Sequence, residues 1–451
     1  MLSVLFKNKR KMVIYSTLIL FIFIIAAFSA DFLQRETFHS GVYIEGEHLS
    51  GFDRLQAKQV VKNKLAGLTS DKSINLTFLN NSWNIPKKDI AMEYSVEKAL
   101  DEAYSIGRTG NFLQRLYSIL KARFMPVMLF TEPSYNVDKL ESVLTVIKKQ
   151  IDKEAKNATV SYKNGNITVN KEEIGYIFDI DANKKIIENS IQKRNFDTIT
   201  LEVTENPPRI NSKDINEISY VLSSSSTIFN PSDYNRTYNI KLACEKVNGI
   251  ILMPGESFSM DTVLGPRTFE NGYREAPVIY MNEFIKGPGG GVCQVTTTLY
   301  GSVLKSKLGI QERIHHSLPL GYVEAGQDAT IAEDYIDFKF KNNKEYPVSI
   351  NAEVSGSRLT MRILGKPDNS GYTVKLKSVT VEELQPETDE IVIDESLPEN
   401  TRVVVREAKK GIHVIVYRDT YNKNGEILDR EKISDDIYKP VRGLVKVKKI
   451  I

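Results

Sequence analysis

The chain has 451 residues, 41% of them hydrophobic and 26% charged, a balance that fits folded globular domains and excludes a disordered chain. At about 150 residues per domain, this length suggests roughly three domains. A net charge of +3, with no basic stripe interleaved with aromatics, gives no ground for a nucleic-acid partner.

Residues 1–11 form a basic tail carrying Lys7, Lys9, Arg10 and Lys11. From Met12 to Ala30 the chain is apolar except at Ser16, Thr17 and Ser29. At about 1.5 Å per residue such a run suffices to cross a hydrocarbon core of about 30 Å. The expectation is therefore a transmembrane helix over 12–30, with the positive cluster holding residues 1–11 in the cytoplasm. Everything after Asp31 then lies outside, and the expected location is the cell membrane, single-pass. A cleaved signal peptide is the alternative, although its apolar region would be unusually long.

Gly41 to Gly46 alternates like a strand, and a helix follows with Ala57, Val60, Val61 and Leu65 on one face and Asp53 as its cap. Ile74 to Phe78 reads as a strand before an Asn80-Asn81 turn. Ile85 to Val96 resembles Val169 to Ile180, Ile90 matching Ile174 at an offset of 84 residues. Each copy follows a hairpin signal and precedes a helix. That predicts two copies of a small α+β unit, at 41–130 and 131–207, since a solenoid needs more repeats to bury a core. Leu113 to Phe130 is apolar and basic, as expected of a helix packing on these units. His39 and His48 are isolated, with no partner at metal-ligand spacing.

Pro207-Pro208 marks a boundary, and a strand-rich mixed α/β domain is expected over 223–366. Its predicted elements are a helix through Asn239 to Val247, ended by Asn248-Gly249, and short strands at Phe258 to Val263 and Ala276 to Tyr280. The stretch GPGGGVCQVTTTLYGSVLKSK, Gly287 to Lys307, dominates this domain. Three glycines precede Cys293, and Val295, Leu299 and Val303 recur every four residues. The pattern predicts a tight glycine turn delivering Cys293 to the first turn of a helix. Unpaired N–H groups and the positive end of the helix dipole favour a thiolate there.

A buried, inert cysteine is the competing reading. His315 and His316, two of the five histidines, follow just past the predicted helix and supply the partner an activated thiol needs. Cys244, the second cysteine, sits in a helix interior and reads as a small buried hydrophobe, leaving Cys293 free. Residues 370–451 alternate like strands, with a hairpin signal at Asn424-Gly425, and are expected to form a small all-β module without catalytic pairings.

The middle domain resembles the VanW family of bacterial surface proteins. The resemblance rests on Ser226-Thr227-Ile228-Phe229, Asn239 to Ala243, Asn248-Gly249, Pro254 to Ser259, Gly265-Pro266-Arg267 and Gly272 to Pro277. It continues through GGGVCQVTTTLY, Arg313, His316-Ser317 and Asp328-Ala329-Thr330. Thr296 and Thr297 stand where serines are usual in the family, and Cys244 where alanine is usual. The preceding repeats look like the peptidoglycan-binding modules often found before VanW domains. The C-terminal segment looks, more weakly, like a G-five domain.

The resemblance implies an L,D-transpeptidase with Cys293 as nucleophile and His316, ahead of His315, as its base. It implies peptidoglycan stem peptides and glycan as partners and no cofactor or metal. Gly290 and Gly291 then offer oxyanion donors from the backbone, and Gln294 a side-chain donor. Asp328 is a candidate to orient the histidine, with a turn or cap role equally open. Arg267, Arg274 and Arg313 could pair with stem-peptide carboxylates, against a structural salt bridge for each. A non-catalytic wall-binding scaffold and a cysteine peptidase or amidase remain as the other readings.

Overall fold

The computed structural model describes residues 11–20, 22, 35–69, 73–280, 283–333, 335–367 and 371–448. These fall into two compact units, one of residues 1–154 and 174–206, the other of residues 155–173 and 207–451.

The first unit holds two small α+β cores. In one, strand Val42–Ile44 lies between Glu47–His48, antiparallel, and Val127–Leu129, parallel. Helices Arg54–Thr69 and Val96–Ser105 bury Ala57, Val61, Leu65 and Leu100 in this core. In the other, strands Ile74–Phe78, Asn81–Ile85 and Ile199–Thr200 form a sheet. Helices Val137–Ile151 and Ile180–Gln192 pack Leu140, Leu144 and Ile187 into the same core as Ile74 and Leu76. The helix expected over Leu113 to Phe130 stops at Phe124, and after Pro126 the chain turns into the strand Val127–Leu129. Proline cannot continue the helical ladder.

The expected transmembrane helix over 12–30 is not supported. Among the described residues no helix is long and apolar enough to cross a membrane. Helix is described there only at residues 11–20 and 22. A ten-residue helix spans about 15 Å, half of a bilayer core of about 30 Å. Residues 21 and 23–30, and the basic tail up to residue 10, lie outside the described residues. The expected single-pass membrane location is corrected with it.

The second unit is built on a four-stranded antiparallel sheet in the order Tyr220–Ile228, Arg358–Gly365, Val348–Ser355, Ile251–Leu252. Helix Val292–Lys305, the cysteine helix, packs on this sheet beside helix Tyr234–Val247. Six of its fourteen residues are valine or threonine, β-branched residues with modest helix propensity. Tertiary burial holds it instead: every residue except Cys293 and Lys305 is buried. Gly301 brings it close to the sheet, because a Cβ there would meet Ser225 Oγ at 2.8 Å. Strand Ser257–Ser259 gives way to a short helix, Met260–Leu264, where a continuous strand was expected. Ser259 caps that helix through the Thr262 N–H.

The C-terminal segment is all-β. Its long sheet runs Thr373–Leu384, Gly411–Tyr421, Ile427–Tyr438, and a smaller one joins Glu390–Ile393, Leu444–Val447 and Arg402–Arg406. Asn424-Gly425 lies in the tight connection of the long hairpin, with Gly425 at φ 84°. Leu376 and Ile433 pack against the core of the preceding domain, so the two share one compact unit.

Candidate active site

Cys293 is the second residue of its helix. Gly291 is the N-cap at φ 104°, a backbone conformation that side chains other than glycine rarely adopt. A Cβ on Gly290 would sit 2.5 Å from the Pro277 carbonyl oxygen, so that position also requires glycine. Asn239, fully buried, pins the turn by donating from Nδ2 to the Gly290 carbonyl (3.0 Å) and the Arg274 carbonyl (2.8 Å). The N–H groups of Val292 and Gln294 turn inward to the Gly289 and Gly291 carbonyls, both at 3.1 Å. The Cys293 N–H lies in the first turn, where the helix offers it no acceptor.

The thiol faces a cavity of about 800 Å³, lined among others by Arg236, Gly290, Gly291, His316, Tyr322 and Ile331. Its sulfur lies 3.6 Å from Thr330 Oγ1 and 3.8 Å from the Ile331 carbonyl. Thr297 Oγ1, on the same helix, donates to the Ala329 carbonyl (3.0 Å) and accepts from the Ala329 N–H (3.2 Å). This clasp sets the 328–331 segment against the cysteine helix.

His316 is 5% exposed and Asp328 1%. His316 Nδ1 donates to Asp328 Oδ2 at 2.6 Å, and the His316 backbone N–H donates to the same oxygen at 2.7 Å. The other ring nitrogen is left for Cys293. Burial pushes the thiol up, but its hydrogen bond with His316 and the imidazolium charge reverse this, bringing it down to about 7. Burial pushes His316 down, yet the Asp328 carboxylate and the thiolate raise it to about 9. Asp328 stays below the usual carboxylate range: burial opposes this, but hydrogen bonds from His316 and Tyr438 prevail. Both shifts favour the thiolate–imidazolium form of the pair over thiol and neutral imidazole.

Asp328 is held from the C-terminal β segment. Tyr438, fully buried, donates its hydroxyl to Asp328 Oδ1 and accepts the Gly326 N–H at 2.8 Å. Arg313 donates from Nε to the Asp328 carbonyl (2.7 Å) and from Nη1 to both Asp436 oxygens (2.7 and 2.8 Å). The expected module without catalytic pairings thus supplies two of the groups around the carboxylate. Nothing local in the sequence marks Tyr438, which lies 110 residues from Asp328.

The remaining expected residues have other occupations. Gln294 spends both side-chain donors on Thr227 Oγ1 and the Ile228 carbonyl, each at 3.0 Å, and its oxygen accepts from Arg236 at 2.7 Å. No donor is left over for an oxyanion. Arg313 is buried and paired with Asp436, and it does not line the cavity. Arg267 reaches the cavity wall but is paired with Asp261. Arg274 stacks on Tyr238, 3.8 Å from the ring centre. His315 Nδ1 donates to the His316 carbonyl at 2.6 Å, and its ring packs on Tyr438. Among the described residues no three His, Cys, Asp or Glu side chains converge as metal ligands.

A thiol, an imidazole and a carboxylate thus stand in series at the start of a buried helix, the order of groups that a triad-type nucleophile requires. Residues 235–364, which contain all three, match the family described as "VanW like protein". Residues 83–200 match the family described as "Putative peptidoglycan binding domain", and residues 377–447 match the "G5 domain". The chain is 36% identical over 137 residues to the uncharacterized protein YoaR of Bacillus subtilis, covering 30% of this chain and 45% of the relative. It is 30% identical over 116 residues to the vancomycin B-type resistance protein VanW of Enterococcus faecalis, covering 25% of this chain and 42% of the relative. The chain thus spans less than half the length of these curated relatives. A solved structure titled "Crystal structure of HP0197-G5" is 25% identical, with a TM-score of 0.12, covering 17% of this chain and 96% of that one.

Proposed function

We propose that this protein is a cell-wall acyltransferase, an L,D-transpeptidase acting on peptidoglycan stem peptides. The VanW-like and peptidoglycan-binding matches support a cell-wall role. The observation that carries the chemistry is the Cys293–His316–Asp328 series opening into a cavity. We assign 223–366 as the catalytic domain, the two α+β cores built from residues 35–154 and 174–206 as wall-binding, and 370–451 as the C-terminal module.

In this reading the Cys293 thiolate attacks the carbonyl carbon of the third stem residue. The oxyanion forms against the Cys293 N–H and the glycine turn. The C–N bond to the fourth residue breaks, and the His316 imidazolium gives its proton to the departing amine. A thioester remains. A side-chain amine of a neighbouring stem then attacks the thioester while neutral His316 takes its proton, and the thiolate is released. Water in place of the amine gives carboxypeptidation. Asp328 keeps the imidazole oriented throughout and stabilises it whenever it carries the proton.

The test is digestion of a disaccharide-tetrapeptide by the full chain, read by mass spectrometry beside Cys293→Ala. Dimers linked through third residues, or shortened stems, should appear only with the intact cysteine. Silence from both proteins while wall binding persists would move the scaffold reading to first place.

A further inference from the structure

The cavity contains a cation that, among the described residues, no carboxylate pairs with. Arg236 stands in the first turn of helix Tyr234–Val247, half-buried, with its Cγ packed toward Gly291. It lines the same cavity as Cys293. Among the described residues its side chain bonds Gln294 alone, from Nη2 to Oε1. Among the described residues no carboxylate comes within ion-pair distance of it. The other arginine lining the cavity, Arg267, is paired with Asp261. Gln294 in turn is locked by Thr227 and Ile228, so the guanidinium is fixed to the residue that follows Cys293 in sequence. A guanidinium presents five donors in a rigid fork suited to a carboxylate, and Arg236 uses one of them here. Leaving such a charge partly desolvated and unpaired costs stability unless a ligand completes it.

We propose that Arg236 is the anchor for a free terminal carboxylate on the departing residue of the substrate, which makes the site select chain ends over internal bonds. This rests on the reading of Cys293 as an acylating thiol and adds to it the side chain that recognises the end of the substrate. The geometry of the bond being cut agrees. In a C-terminal amino acid the carboxylate carbon is two bonds from the nitrogen that leaves, so an anchor must lie beside the nucleophile rather than far down the cavity. Arg236 is tied to the residue next to Cys293 in sequence. A peptide with its terminal carboxylate replaced by a carboxamide keeps every other contact but leaves the guanidinium unpaired.

The experiment compares two stem tetrapeptides, one ending in carboxylate and one in carboxamide, on the full chain. Two readouts are taken: protection of Cys293 from iodoacetamide, which needs no turnover, and release of the terminal residue. The wild type should be protected and turned over at least about tenfold better by the carboxylate form, the usual size of a charge-assisted contact. Arg236→Gln should handle both forms alike, and Arg236→Lys should keep part of the preference. Equal protection by both forms in the wild type, or a preference undiminished in Arg236→Gln, would overturn the proposal. Selective, Arg236-dependent protection without turnover would sink the transferase reading and leave the anchor standing. Turnover without selectivity would do the reverse.

Discussion

The two cysteines of this chain, Cys244 and Cys293, share one hydrophobic core and have opposite chemistry. Cys244 lies inside helix Tyr234–Val247, 5% exposed, where burial and the Glu245 charge push its thiol up to about 12. Cys293 opens the neighbouring helix, and His316 brings it down to about 7. Packing alone makes a thiol inert. A helix start and an imidazole paired with a carboxylate favour the thiolate, the form in which a cysteine attacks. The difference lies in what faces the sulfur, since both side chains pack on the same core.

The comparison can be broken most severely at the sulfur itself. Cys293→Ala should reduce thioester-dependent turnover by a factor on the order of 10⁴ or more, as loss of a nucleophile does, while circular dichroism stays unchanged. Asp328→Asn should cost about 10²–10⁴ in kcat, as removal of an orienting carboxylate does. It also removes the charge that holds His316 near 9. The falling limb of the pH–rate profile should therefore move down toward neutrality. In the wild type that profile rises through about 7 as the thiolate forms and falls through about 9 as the imidazolium is lost, both limbs belonging to the coupled pair.

Alkylation sharpens the contrast directly. At pH 7.5 iodoacetamide should add one label, on Cys293, and none on Cys244. His316→Ala should slow that labelling by about tenfold or more, because the thiol loses its charged partner. A smaller effect is expected at Tyr438→Phe, which removes one donor from the Asp328 carboxylate. The remaining charge then pulls harder on His316, and the falling limb of the pH–rate profile for turnover should rise by a fraction of a pH unit, whereas simple loosening of the fold would leave it in place. Cys244→Ala should change least, about 1 kcal/mol of stability in a denaturant titration and nothing in labelling.

Much of the site is readable along the chain because its signals are short-range. Glycines before Cys293 announce a positive-φ turn, and the four-residue spacing of Val295, Leu299 and Val303 announces the helix. His316 and Asp328 stand out by residue type. The roles of Gln294 and Arg313 are not readable this way. Both look like ligand-binding side chains, and both are consumed by bonds to residues distant in sequence, Thr227 and Asp436. The apolar run from Met12 likewise meets a composition rule, while the described helix is too short to span.

The sequence by itself determined the local devices: the turn, the helix that starts at the cysteine, the pairing of a thiol with a histidine, and the alternating strands of the C-terminal segment. These follow from backbone sterics and hydrophobic period, which act over a few residues. Only the tertiary structure decided that Tyr438 and Asp436 complete the surroundings of Asp328, and that Arg236 lines the cavity of Cys293 and bonds Gln294. Such contacts join residues 58 to 123 positions apart. Burial and charge compensation across the whole unit select them, and no local pattern encodes either one.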